Sequence, residues 1–350
     1  MWAQTIRKEF EKKISQPIKD IDPKETNLLL LKEENKTEPL QATFSIRNNS
    51  KEMKMKMNFL EEGIVKLSSE NPLNTAHYTV DDVEKIDISP LDPKLVALEK
   101  SDVLITIPSH NQTFRVNFSS SGQFSFFDNE NLLVSLNRAF FLSNSPNPRI
   151  DILFETEFVY GFPERADRVL LQDTEKDLPY CMWATDRYMY NVPSKAGLYG
   201  AVPFIIGHSP KGTVGVFWRN TSQTYLSVDK KSKNLATACG FYSEVGDLEM
   251  YIIMDVNIQD FFRKVANLLG KTPLPPYFSL GYQQSRYSFQ NQKDVETVDE
   301  NFDKNEIPYD VLWLDIDHTD NCKYYTFNMK DYPDPASMVK KITEKGRKFV

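Results

Sequence analysis

At 350 residues the chain is long for one domain, and two domains are the better expectation. Its 40% hydrophobic and 26% charged content supplies a sizeable core in an ordinary globular composition. A formal charge of −7 without a long basic stripe argues against nucleic acid or an anionic membrane as a partner, and no apolar run is long enough to span a bilayer.

The opening stretch, MWAQTIRKEFEKKISQPIKD, lacks the apolar centre of a secretory signal. Trp2, Ile6, Phe10 and Ile14 recur every four residues, so a short amphipathic helix is expected within an N-terminal extension over 1–41. From 42 to 256 the pattern is strand after strand. VLITI (103–107), TFRVNF (113–118), QFSFF (123–127) and NLLVSL (131–136) are β-rich runs separated by polar clusters. PFIIG, TVGVFW, TYLSV and EMYIIM continue the series beyond residue 200. Many short strands with turn signals between them predict a β-sandwich.

The rhythm changes at Asn257, a plausible helix N-cap. Ile258, Phe261, Phe262, Val265, Leu268 and Leu269 mark one helical face, and Gly270 closes it. TPLPP (272–276) reads as a linker, so 257–277 forms a helix and a connection. Beyond it, FSLGYQQ is strand-like, Val295, Val298 and Phe302 give a helical stripe, and YDVLWLDID is apolar nearly throughout, as a buried parallel strand should be. Asp334 caps a further helix with Pro335 in its first turn, Met338, Val339 and Ile342 on its inner face and Gly346 at its end. RKFV starts a third strand. Strand, helix, strand, helix, strand is an α/β beginning, and a sheet of that size is expected to leave the Val311, Leu312 and Trp313 faces open.

Cys181, Cys239 and Cys322 are too few and too widely spaced to imply a disulfide framework or a zinc site. Triplets of the glycosylation pattern begin at Asn35, Asn48, Asn111, Asn117 and Asn220, a motif common by chance.

VLWLDIDHTD (311–320) carries the chemistry. An apolar strand ends in Asp315, Asp317, His318 and Asp320, and carboxylates at the mouth of a buried strand need a use. One reading is a phosphatase of the haloacid dehalogenase type. Asp315, Asp317 and Thr319 fit its Asp-x-Asp-x-Thr pattern, with Asp315 attacking phosphorus, Asp317 as acid and base, and Mg²⁺ on the phosphate. That fold opens on this strand and needs groups far downstream, whereas here a large β-rich region precedes it.

The wider context points elsewhere. The whole stretch from TPLPPYFSLGYQQSRYSFQ through VLWLDIDHTD to KKITEKGRKFV resembles the start of the catalytic barrel of glycoside hydrolase family 31, in its α-glucosidases. FVYGFPERADRVLL and LYGAVPFIIGHSPKGTVGVFWRN resemble the same family's N-terminal sandwich. The resemblance implies a galactose mutarotase-like β-sandwich (42–256) followed by the first part, 278–350, of a (β/α)8 TIM barrel. In similar enzymes Asp315 would accept hydrogen bonds from hydroxyls of a terminal glucose, a task that suits an acceptor-only carboxylate. Ile316 would form an apolar wall, Tyr287 would offer a ring face, and Asp186 in MWATD would touch the next sugar outward, from a sandwich loop that the resemblance places over the barrel mouth. Asp317 could instead cap a turn, and His318 could be a satisfied polar group at the strand exit.

There are departures. Gln283 and Ser285 stand where the family commonly has His and Cys, and Tyr287-Ser288-Phe289 replaces an aromatic-Gly-Tyr motif, losing the glycine. The family is retaining, with one Asp as nucleophile and another as general acid on later barrel strands. Neither can be placed in this sequence, so no catalytic residue is assigned. Both are expected beyond Val350, and the chain by itself is expected to be inactive. The resemblance implies no metal and no cofactor. It implies an oligosaccharide or N-glycan substrate with terminal α-linked glucose, room for a non-catalytic partner subunit, and the lumen of the endoplasmic reticulum, with the cytoplasm open because no signal is visible. A non-catalytic carbohydrate-binding chain or pseudo-enzyme is the rival of a different class.

Overall fold

The computed structural model describes residues 41–48, 51–69, 89, 91, 92, 95–99, 102–107, 112–119, 123–141, 147–175, 178–230 and 235–350. The helix expected around Trp2, Ile6, Phe10 and Ile14 lies outside these residues. Two compact units are present, the first ending at Gly270 and the second running from Lys271 to Val350.

The first unit contains, in chain order, β1 (Gln41–Asn48), β2 (Lys51–Phe59), β3 (Val65–Ser69), β4 (Val96–Glu99), β5 (Asp102–Ile107) and β6 (Gln112–Phe118). There follow β7 (Gln123–Asp128), β8 (Asn131–Phe141), β9 (Pro148–Phe154), β10 (Val159–Gly161) and β11 (Tyr180–Met182). The series ends with β12 (Phe204–Ser209), β13 (Gly212–Trp218), β14 (Thr224–Asp229), β15 (Thr237–Ser243), β16 (Leu248–Asp255) and helix α1 (Ile258–Leu269). Among the described residues the strands form two sheets with antiparallel pairing, ordered β1-β2-β3-β16-β13-β12-β10 and β11-β14-β15-β9-β8-β7-β6-β5-β4. Inward residues of both sheets share one core: Met57, Leu67, Val216 and Ile252 from the first, Ile105, Phe114, Phe126 and Ile152 from the second. Trp218 ties the layers together. Its fully buried ring stacks on Phe241 with centroids 5.4 Å apart, and its indole N–H donates to Ser243 Oγ at 2.9 Å. The expected sandwich is therefore present.

Burial along the strands reports what covers them. β7 and β9 alternate buried and half-buried positions, as strands with one inward face do. β13 and β16 are buried almost continuously, because α1 covers their second face with Phe261 and Leu268 against Phe204, Tyr251 and Ile253. The close approach requires glycine at 215, where a Cβ would come within 2.7 Å of both the Phe204 and the Phe261 ring. Asn257 caps α1 as expected, its side chain accepting from Gln259 N and Asp260 N, and Gly270 leaves the helix at φ +89°. The expected apolar face needs correction. Ile258, Phe262 and Leu269 are exposed, while Lys264 is buried beside Phe261. Lys264 earns that place by pairing: its Nζ donates to Met254 O at 3.0 Å and lies 2.9 Å from Asp255 Oδ2.

The second unit contains β17 (Gln283–Arg286), α2 (Gln292–Lys304), β18 (Val311–Leu314), α3 (Pro335–Thr343) and β19 (Lys348–Phe349). The three strands pair in parallel in the order β17-β18-β19. Asn291 and Asp334 cap the two helices, accepting from Asp294 N and Ser337 N. Phe289, Val295, Tyr309, Leu312, Tyr332, Met338 and Ile342 form its core. Two expectations are corrected. Phe278 to Leu280 belong to a 3-10 turn started by Pro276, so only Gln283 and Gln284 of FSLGYQQ enter a strand. Val311 and Leu312 are buried, Leu312 within the core, and of the three only Trp313 is exposed.

Candidate sugar-binding edge

β17 and β18 run in parallel with Arg286 opposite Leu314, so Tyr287 and Asp315 leave the C-terminal ends of neighbouring strands in register. In barrels of this kind that end carries the chemistry. Asp315 is exposed and opens a 3-10 turn over Ile316–His318, its Oδ1 accepting Ile316 N–H at 2.7 Å. Ile316 and Tyr287 are exposed beside it, Tyr287 to 69%. An apolar wall, an aromatic face and a carboxylate thus occupy two adjacent strand ends.

The other polar groups of VLWLDIDHTD have internal partners. Asp317 Oδ2 accepts the Ser288 N–H at 2.8 Å, tying the β18 turn to the β17 turn. His318 Nδ1 lies 2.6 Å from Asp315 O, and its ring packs 5.1 Å from Phe327. Thr319 Oγ donates to Ile316 O at 2.7 Å. Asp320 accepts from Asn321 Nδ2. Among the described residues no three His, Cys, Asp or Glu side chains converge as metal ligands. The phosphatase reading loses its support: its acid-base Asp317 is engaged by a backbone amide, and β18 follows a parallel strand rather than opening the sheet.

Gln283, which stands where a His is common, is held at both ends of its amide. Oε1 accepts the Trp313 indole N–H at 2.7 Å and Nε2 donates to Ser279 O at 3.1 Å. Two contributors escaped sequence reasoning. Tyr332 is fully buried and its hydroxyl donates to Phe289 O, anchoring the segment that carries Tyr287. Burial pushes that hydroxyl up to about 12, with Asp317, Asp294 and Asp331 adding to the effect, so it remains a donor. Arg286 lies 4.5 Å over the Phe289 ring. An isolated Tyr or Arg in sequence carries no sign of either contact.

Asp186 belongs to the first unit, exposed on the loop after β11. The loop is pinned at its foot by Thr185, whose N–H donates to Leu198 O at 2.6 Å and whose hydroxyl donates to Trp183 O at 2.9 Å. Gly197 permits the crossing, since a Cβ there would meet Trp183 O at 2.7 Å. Trp183, Tyr188 and Tyr190 are exposed around Asp186. Within the first unit an open cavity of about 700 Å³ is lined by residues that include Asp167, Gln172, Asp173 and Lys195.

Comparison with known proteins decides the family. Residues 54–226 match the glycosyl hydrolase 31 N-terminal galactose mutarotase-like domain, and residues 272–350 match the glycosyl hydrolases family 31 TIM-barrel domain. The chain belongs to glycoside hydrolase family 31. It is 35% identical over 211 residues to human neutral alpha-glucosidase AB, an alignment covering 55% of this chain and 22% of that protein. It is likewise 35% identical over 201 residues to the glucosidase 2 subunit alpha of Schizosaccharomyces pombe, covering 55% and 22%. A solved glucosidase II alpha subunit superposes with a TM-score of 0.75 at 24% identity, covering 99% of this chain and 44% of that one. The family 31 dextranase of Flavobacterium johnsoniae gives 0.68 at 23% identity, covering 89% and 37%. These superpositions establish the fold, a sandwich followed by the start of a TIM barrel. The chain spans less than half the length of these solved relatives, and its alignments about a fifth of the curated ones.

Proposed function

We propose that this chain supplies the sandwich and the first barrel strands of a retaining α-glucosidase that releases terminal α-linked glucose. The observation that carries the reading is the placement of Tyr287 and Asp315–Ile316 at adjacent C-terminal strand ends, where a family 31 barrel reads its sugar. Asp315 would accept hydroxyls of the terminal glucose, and Ile316 and Tyr287 would flank the ring. No residue of the chain is proposed as nucleophile or general acid. In a retaining glycosidase those are two carboxylates about 5 Å apart, one forming the glycosyl-enzyme bond and the other protonating the leaving oxygen.

The relatives support a biological setting. One solved relative is an ER glucosidase II heterodimer of a catalytic subunit and the binding domain of a regulatory subunit. We extend that setting to this chain: N-glycan glucose trimming in the lumen of the endoplasmic reticulum, with a non-catalytic partner subunit. No helix among the described residues is long and apolar enough to cross a membrane.

Proton NMR of a hydrolysing nitrophenyl α-glucoside tests the reading. The whole protein should release glucose first as the α-anomer, and the 350 residues alone should release none, because losing the catalytic pair costs many powers of ten. Initial release of the β-anomer, or no release by the whole protein on any α-glucoside, would overturn it.

A further inference from the structure

Segment 286–289 is built to display one side chain. Arg286 is held over the Phe289 ring, with its guanidinium 3.8 Å from Asp294. Phe289 is buried and its carbonyl is gripped by Tyr332. Tyr287 stands out between these anchors. The residue that turns the chain is Ser288, at φ +80°. That left-handed conformation is natural for glycine and disfavoured for a residue with a Cβ, so it persists only where its surroundings impose it. The Ser288 N–H donates to Asp317 Oδ2 at 2.8 Å, a hydrogen bond strengthened by the carboxylate charge. Asp317 sits two residues after Asp315, inside the 3-10 turn that Asp315 caps.

We propose that Asp317 is a positioning residue: it clamps the strained Ser288 turn and thereby fixes Tyr287 relative to Asp315. Its catalytic consequence rests on the glucosidase reading, and its geometry does not. A glycine at 288 takes this backbone conformation without steric cost, whereas serine makes the chain depend on the clamp. One turn then sets two elements of the sugar site, the carboxylate directly and the aromatic face through a single N–H bond. Asp317→Ala releases Ser288 toward negative φ and swings Tyr287 away. Asp317→Asn keeps an acceptor oxygen at the same reach and holds the turn.

Two measurements test this. In the 350-residue chain, amide exchange at Ser288, followed by NMR, should speed up by about tenfold or more in Asp317→Ala and by less than about threefold in Asp317→Asn, since only the former removes the acceptor. In the whole protein, Asp317→Ala should raise KM for a nitrophenyl α-glucoside about five- to tenfold with kcat within about twofold, the signature of lost ground-state binding. Adding Ser288→Gly to Asp317→Ala should bring KM most of the way back. That rescue separates a clamp from a residue that touches sugar. Unchanged Ser288 exchange in Asp317→Ala would overturn the proposal, as would a KM defect that Ser288→Gly leaves unrepaired. If the whole protein proved inactive on every α-glucoside, the glucosidase reading would fall, and exchange at Ser288 would still decide the clamp.

Discussion

The two units solve the problem of a β-sheet in opposite ways. In the first, two antiparallel sheets close a core between them and α1 seals a second face, so inward side chains of β13 and β16 have neighbours on both sides. In the second, a three-stranded parallel sheet carries its two helices with Leu312 in the shared core, and Trp313, Tyr287 and Asp315 stay exposed at the strand ends. The first region spends its sequence on stability, and the second leaves polar and aromatic groups at the edge where a barrel does its chemistry. The electrostatics differ as well. The sandwich buries a small polar group deep among apolar side chains: Asp255 pairs with Lys264 and accepts from Gln112, and Asp128 is buried within electrostatic reach of both Asp255 and Lys264. The second unit has one dense ion-pair cluster, in which buried Asp299 accepts from Tyr309, Lys345 and Arg347, and Asp303 accepts from Lys345 and Arg347.

The sharpest way to break this contrast is to hollow the sandwich. Trp218→Ala should destabilise the first unit by about 3–5 kcal/mol, the cost of deleting a fully buried aromatic side chain, seen as a lower urea midpoint. A shift below about 1 kcal/mol would mean that the two sheets are not joined through this ring.

Acid should act on the second unit through its ion-pair cluster. Hydrogen bonds from Arg347 and Lys345 hold the Asp303 carboxyl down to about 2. Its folded value lies below its unfolded one, so its contribution is present at neutral pH and lost as pH falls from about 4 to about 2. The melting midpoint of this unit should drop across that window, and Asp303→Asn should flatten the dependence. An unchanged pH profile in the variant would show that the cluster does not hold the unit.

The smallest effect has the opposite sign. Burial raises the Asp128 carboxyl above its ordinary value, Asp255 adds to this, and Lys264 opposes it. A raised folded value means that the group's contribution is fully present below its unfolded value and is lost as pH rises through the folded one. Asp128→Asn should therefore raise the midpoint at neutral pH and leave it nearly unchanged near pH 4, by an amount of about 1 kcal/mol or less at pH 7 as for a single buried polar exchange. A fall at neutral pH would indicate that the charge is used there.

Much of both regions could be read from sequence because the signals are local. The strand runs from 103 to 254, the Asn257 and Asp334 caps, and the apolar strand ending in Asp315 each state their role within a few residues. What escaped reading depends on distant partners. Lys264 sits on an apolar face because Asp255 and Met254 O await it, and Pro276 turns what looked like a strand into a 3-10 turn. Ser288 showed only as a missing glycine, and its left-handed turn makes sense once Asp317, 29 residues away, is seen to hold it.

The central claim is that Asp315 reads sugar while Asp317 serves the fold around it. The most direct test assays Asp315→Asn and Asp317→Asn in the whole protein, on an α-glucoside and on a phosphate ester with Mg²⁺. The account predicts that Asp315→Asn lowers glucosidase kcat/KM by about 10²-fold or more, from lost charge-assisted hydrogen bonds and a misplaced ring. It predicts that Asp317→Asn stays within about fivefold of the parent, its acceptor oxygen retained, with no phosphatase activity in any form. Equal damage by both substitutions to phosphate-ester hydrolysis, with no glucosidase activity to lose, would contradict it.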